Sequence, residues 1–204
     1  MPDINLKATT LICTLSPSPT VSSSEILAQQ VIDELESHDV TNVSYRVVDH
    51  NIKFGVSKDM GDGDEWPVIR ESILNSDILL IATPIWMGQP ASVSKMVLER
   101  LDAELSETDH DGRPSMYGKV AIVAVVGNED GAHHVSAELY QALSDVGFTI
   151  PAGGPTYWVG EAMGSIDYKD LSDTPKTTTT TTKNTAANAV HLARLLKNDN
   201  YPTQ

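Results

Sequence analysis

Four short apolar runs, separated by stretches of helical periodicity, constrain this chain more than any other feature. "ATTLICTL" (8–15), "VSYRVVD" (43–49), "DILLIATP" (77–84) and "KVAIVAVVG" (119–127) have the length of strands, and the first, third and fourth are apolar enough for burial on both faces. Such runs cannot face water on either side. They belong inside a parallel sheet covered by helices.

The helices that would cover it can be placed between them. The first starts near "SSSEILAQQVIDEL", where Ser22 and Glu25 have capping-box spacing and Ile26, Leu27, Val31 and Leu35 share a face. "WPVIRESILNS" predicts a short second helix with Pro67 in its first turn. In the third, Val93, Met96, Val97, Leu101 and Leu105 form one stripe; the fourth, from Gly131 to Val146, uses Val135, Leu139, Ala142, Leu143 and Val146 and stops at Gly147. A fifth strand is expected at "FTIP" or "PTYWV", and a last helix over 184–197 with Ala186, Ala189, Val190, Ala193 and Leu196 inward. Thr is a poor helix former, so the run at 176–183 is expected to be a flexible lead-in to that helix.

Strands and helices alternating at this spacing make βαβ units with right-handed crossovers. The expected architecture is α/β: a flavodoxin-like, doubly wound, five-stranded parallel sheet of order 2-1-3-4-5, with helices on both faces and residues 1–204 forming one domain. Ligands of such sheets lie beyond the C-terminal strand ends where the order reverses. The loops after strands one, three and four should therefore share one site. They are "SPSPTVSSS", "PIWMGQPAS" and "NEDGAHH".

Charge narrows the partners. With 14 basic and 28 acidic residues, a net charge of −14 argues against nucleic acid and anionic membrane surfaces. Any phosphate must be held mainly by backbone N–H groups and hydroxyls. A single cysteine, Cys13, excludes an intrachain disulfide and a four-thiolate cluster, and its apolar surroundings make it a core residue. No signal-peptide pattern or membrane-length apolar run is present, so a cytoplasmic location is expected.

The first loop surrounds a helix start with Ser16, Ser18, Thr20, Ser22, Ser23 and Ser24, a setting in which orphan N–H groups and hydroxyls can hold a phosphate or simply cap the helix. The second crowds Pro84, Trp86, Gly88 and Pro90 into seven residues. Trp86 can flank a planar ring there and Gly88 allows close backbone approach, or Trp86 can pack under a helix. A planar ring joined to a phosphate describes flavin mononucleotide. In the third loop, backbone amides at a helix start would face the flavin's polar edge, with Glu129 and Asp130 turned outward or capping the helix. His133 and His134 are adjacent, point about 100° apart on a helix and cannot share a metal from one face, so no metal is expected.

Other phosphate-binding classes lack their signatures. The chain has no G-x-G-x-x-G after strand one, no Walker sequence and no G-x-S-x-G elbow. A receiver domain's acidic cluster near strand one and its aspartate at the end of strand three are missing too, because the first loop has no acid before Glu25 and strand three ends at Thr83 and Pro84.

"SPSPTVSSS", "TPIWMGQPASVSKMVLERLD" and "VVGNEDGAHHVSAELYQALSDVGFTIPAGGPTYWVGEAMGSIDYKDL" resemble the NADPH-dependent FMN reductase group of the flavodoxin-like superfamily, over residues 8–171. The resemblance implies an oxidoreductase in which FMN takes hydride from NADPH or NADH and passes electrons to a quinone, flavin or other small acceptor. It implies Ser16, Ser18, Ser22 and Ser23 around the phosphate, Thr83, Pro84, Ile85, Trp86, Met87 and Gly88 along the isoalloxazine, and Asn128, Glu129, Gly131 and His133 near its polar edge. No side chain is required as acid or base. Relatives commonly carry a basic residue in the first loop, where this chain has Leu15 and Pro19. The resemblance also implies a homodimer or homotetramer; the aromatic segment "PTYWVGEAMGSIDYKDL", with Tyr157, Trp158 and Tyr168, is expected to cover the flavin's exposed face, to form a subunit contact or to pack over the sheet edge. Two alternatives share the fold: an electron-transfer flavodoxin without its own substrate, and a flavin-free binding module.

Overall fold

A computed structural model describes residues 5–203. Its elements run β1 (Leu6–Ile12), α1 (Ser23–Glu36), β2 (Val40–Arg46), α2 (Trp66–Leu74), β3 (Ile78–Trp86), β4 (Gln89–Pro90), α3 (Ser92–Leu101), β5 (Val120–Gly127), α4 (Ala132–Asp145), β6 (Pro155–Val159) and α5 (Lys176–Asn198), with short 3-10 turns at Asp102–Ser106 and Tyr168–Asp170 among them. The strand order is β2-β1-β3-β5-β6, all parallel, and β4 is a short antiparallel addition to β3. Setting β4 aside, this is the expected flavodoxin-like order, with the reversal between β1 and β3.

Alternation along the buried strands sends side chains to two cores. Leu79 and Ile81 of β3 and Val123 and Val125 of β5 join α2, α3 and α4 on one face. Leu80, Ala82, Ile122 and Ala124 join α1 and α5 on the other. Each fully buried Leu, Ile or Val contributes about 1.5–3 kcal/mol over an exposed position, so the double burial of β3 and β5 fixes their register. Ser22 caps α1 as its spacing predicts, its Oγ accepting from Glu25 N–H at 3.4 Å. Glu25 does not complete the box, because its carboxylate takes the Arg46 guanidinium at 2.5 Å.

Three expectations are corrected. Residues 176–183 are helical, the first turns of α5, because Thr178, Thr182 and Thr185 are buried against β6 and the Thr156 hydroxyl bonds Thr182 Oγ1 at 2.8 Å. Tertiary burial outweighs the weak helix preference of Thr. Leu105 leaves the α3 stripe: α3 ends at Leu101, the 3-10 turn rotates the face away, and Leu105 is exposed. The segment 84–90 is a hairpin rather than a loop. β3 continues through Trp86, and Met87 and Gly88, both with positive φ, form its two-residue turn.

Candidate functional site

A cleft of about 290 Å³ opens at the C-terminal ends of β1, β3 and β5. One wall is the first loop and the start of α1, with Thr14, Leu15, Ser16, Val21, Ser22, Ser23 and Ser24; the other is Pro84, Ile85, Trp86 and Met87. Val126 and Gly127 at the end of β5, with Asn128 and Glu129 after it, form the floor, and Trp158, Asp167, Tyr168 and Lys169 close the remaining side.

The hairpin wall is held rigidly. Thr83, fully buried, accepts Ala91 N–H at 3.2 Å and shares a hydrogen bond with Ser94 Oγ at 2.7 Å, which ties β3 to the start of α3. A Cβ on Gly127 would lie 2.9 Å from Ile85 Cβ, and one on Gly131 would lie 2.8 Å from Gly88 Cα. Glycine at both positions lets the hairpin seat on the loop after β5. Trp86 is 55% exposed, so its ring is presented to the cleft mouth and not packed under a helix.

The opposite side is closed by residues 160–170, which sequence periodicity does not place. Asn128 Nδ2 donates to Gly164 O at 3.1 Å, and Gly160 N–H donates to Gly127 O at 2.9 Å. At the other end of the segment, the Tyr168 hydroxyl donates to Gln30 Oε1 at 2.6 Å and Lys169 N–H donates to Ser23 Oγ at 3.2 Å. The segment thus spans the cleft from β5 to α1.

Of the residues singled out in the sequence, Ser16, Ser22, Ser23, Pro84, Ile85, Trp86, Met87, Asn128 and Glu129 line the cleft. The other five have different surroundings. Ser18 is exposed and gives both its N–H and its hydroxyl to Asp49, whose carboxyl they hold below the usual range. Thr83 lies beneath the hairpin. Gly88 and Gly131 touch each other. His133 is exposed, with Nε2 3.0 Å from the Tyr157 hydroxyl. Glu129 lines the cleft where the resemblance implies it and not turned outward as its charge suggests, and its Oε1 is buried with no hydrogen-bond partner.

Trp158 and Tyr168, aromatics of the segment expected to cover the flavin or a subunit contact, line the cleft, and Asp167 and Lys169 join them without any expectation of their own. Only the concentration of aromatics in 155–171 hinted at them. Cys13 is inert: burial pushes its thiol up to about 12, only partly offset by the Ser94 hydroxyl.

The donor set suits a flavin phosphate. Serine hydroxyls at a helix start serve a phosphate, an indole and aliphatic side chains serve a ring, and an orphaned carboxylate oxygen serves an imide N–H. No described helix is long and apolar enough to cross a membrane.

Comparison with known proteins agrees with this chemistry. A Streptomyces davaonensis protein, 8-demethyl-8-aminoriboflavin-5'-phosphate synthase, is 34% identical over 209 residues, covering 97% of this chain and 81% of that one. A Mycobacterium bovis protein, divalent metal cation transporter MntH, is 34% identical over 199 residues; the match takes in 94% of this chain but only 29% of that relative's length. Among solved structures, RosB with bound 8-demethyl-8-formylriboflavin-5'-phosphate superposes with a TM-score of 0.88 at 32% identity, over 95% of this chain and 81% of that one. The family model for NADPH-dependent FMN reductase matches residues 10–164. The chain therefore belongs to the NADPH-dependent FMN reductase family, and that family implies FMN as its cofactor.

Proposed function

We propose that this chain is an FMN-dependent NAD(P)H oxidoreductase that delivers reducing equivalents to a small planar acceptor such as a quinone or a free flavin. The observation that carries the reading is a single cleft, at the sheet's switch point, that joins a hydroxyl-lined end to an aromatic end. In this reading Ser16, Ser22 and Ser23 hold the phosphate, Ile85, Trp86 and Met87 flank the ring, and Asn128 and Glu129 meet its polar edge. Bound FMN supplies the centre that accepts hydride and returns electrons.

The chain's own groups supply position and electrostatics. The Glu129 carboxylate is the acceptor that an imide N–H needs, and the start of α4 behind it favours negative charge developing at that edge. Trp86, half exposed, leaves room for a second planar molecule at the cleft mouth. The exposed side chains of Trp86, Met87 and Met163 support assembly as a homodimer or homotetramer that would cover this mouth. A cytoplasmic setting belongs to the same reading. Purified protein with added FMN and a quinone is expected to oxidise NADPH steadily; no oxidation above the FMN-only rate would sink the proposal.

One observation favours a second reading. The Streptomyces relative is a synthase of a riboflavin phosphate derivative, so the flavin could be a substrate that leaves altered. Mass spectrometry of the flavin recovered after turnover separates the two. Unchanged FMN supports the oxidoreductase, and a modified dimethylbenzene ring supports the second reading.

A further inference from the structure

Resting on the reading that a flavin phosphate occupies this cleft, we propose that Lys169 is the cation that recognises the phosphate, reaching the serine wall from a turn distant in sequence. The first loop, residues 14–24, contains no Lys, Arg or His, and the chain as a whole is strongly acidic. A phosphate held by neutral hydroxyls alone would sit in an unfavourable field. Lys169 is the only basic side chain among the described residues that line the cleft. Its own backbone N–H donates to Ser23 Oγ, which fixes the residue beside that wall.

The alternative cation under the same loop is engaged through two of its three nitrogens, its buried Nε alone being without a partner. Arg46, almost fully buried under the same loop, gives Nη1 to Thr20 O at 2.9 Å and Nη2 to Glu25, and it does not line the cleft. Lys169 is held differently. Its ammonium contacts Asp170 at 2.7 Å and Asp167 at 3.2 Å, and these two carboxylates raise its pKa, Asp170 first, so it is charged at neutral pH. The side chain remains 31% exposed on four rotatable bonds. It can exchange a solvent-screened carboxylate for a phosphate dianion at small cost, because exposed ion pairs are weak.

Riboflavin, which lacks the phosphate, makes the test specific. Fluorescence titration of the wild-type chain should show preference for FMN over riboflavin. Lys169→Met should weaken FMN binding about tenfold while leaving riboflavin unchanged, the size of one charge-assisted contact. Lys169→Arg should restore the preference. Asp170→Asn, which removes the shorter of the two ion pairs and a nearby negative charge, should tighten FMN at least twofold, an effect that structural damage would not produce. Equal losses for both ligands in Lys169→Met, or an unaltered FMN-to-riboflavin ratio, would overturn the assignment alone. A wild-type chain that binds neither ligand would overturn the flavin reading and this inference with it.

Discussion

At the ring end of the cleft, Ile85 and Trp86 belong to β3 and Val126 and Gly127 to β5, so their placement is inherited from the sheet. At the hydroxyl end, Ser16 lies in a loop, Ser22 and Ser23 begin α1, and Lys169 arrives on a turn 146 residues from the serine it contacts. One end is set by local pattern and the other by long-range closure. The contrast implies a division of labour that two ligands can resolve: ring-end changes should affect FMN and riboflavin alike, and hydroxyl-end changes should affect FMN only.

The largest effect should come from a buried ion pair that lies outside both ends of the cleft. Arg100 of α3 is fully buried, paired with Asp64 at 2.7 Å and bonded to Lys53 O and Ser57 O. Asp64→Ala leaves that guanidinium uncompensated and should cost about 3–5 kcal/mol in a urea denaturation curve. The same pair gives an acid limit. Burial alone would raise the Asp64 pKa, but the Arg100 guanidinium and the N–H groups of Met60, Lys53 and Trp66 outweigh it and leave the carboxyl well below its ordinary value. A depressed folded pKa adds stability that is complete above the unfolded value of about 3.9 and is lost as pH falls below it. Acid titration of wild type should therefore lose a component near pH 4 and below that Asp64→Asn lacks.

Next in size is Gly131→Ala. Its φ of 131° disfavours any side chain, and the new Cβ would strike Gly88. A loss of about 2–3 kcal/mol is expected, with both flavins binding more weakly; Gly61→Ala, at φ 88° but with open space around it, should cost no more than about 1 kcal/mol. Trp86→Ala should leave stability nearly intact, since the ring is half exposed, and weaken FMN and riboflavin equally, by about tenfold. Selective loss of FMN there would break the division of labour. Ser22→Ala is the smallest, costing about 1 kcal/mol or less for a cap bond of 3.4 Å, with a few-fold loss for FMN and none for riboflavin.

How much of this was legible follows the same division. Hydrophobic period alone located β1, β3, β5 and the helices between them, because doubly buried strands and amphipathic helices write their surroundings into consecutive residues. The Ser22 cap and the turn glycine after α4 were equally local. Three features were not. The helical fate of the Thr run depends on Thr156 and the β6 surface it covers. The inward turn of Glu129 is a side-chain orientation that no local period records. Lys169 carries no signal of its own, being one lysine in an irregular segment whose position is set by Asn128 and Gln30 far away. Local sequence shows which loops meet, and long-range contacts decide which side chains they present.

The central claim, that the cleft holds FMN for reduction by NAD(P)H, is tested most directly by titrating the purified chain with FMN under anaerobic conditions and then adding NADPH. The account predicts saturation at one FMN per chain with quenched flavin fluorescence, followed by bleaching of the visible band. A chain that leaves the flavin spectrum and fluorescence unchanged at saturating FMN would contradict it.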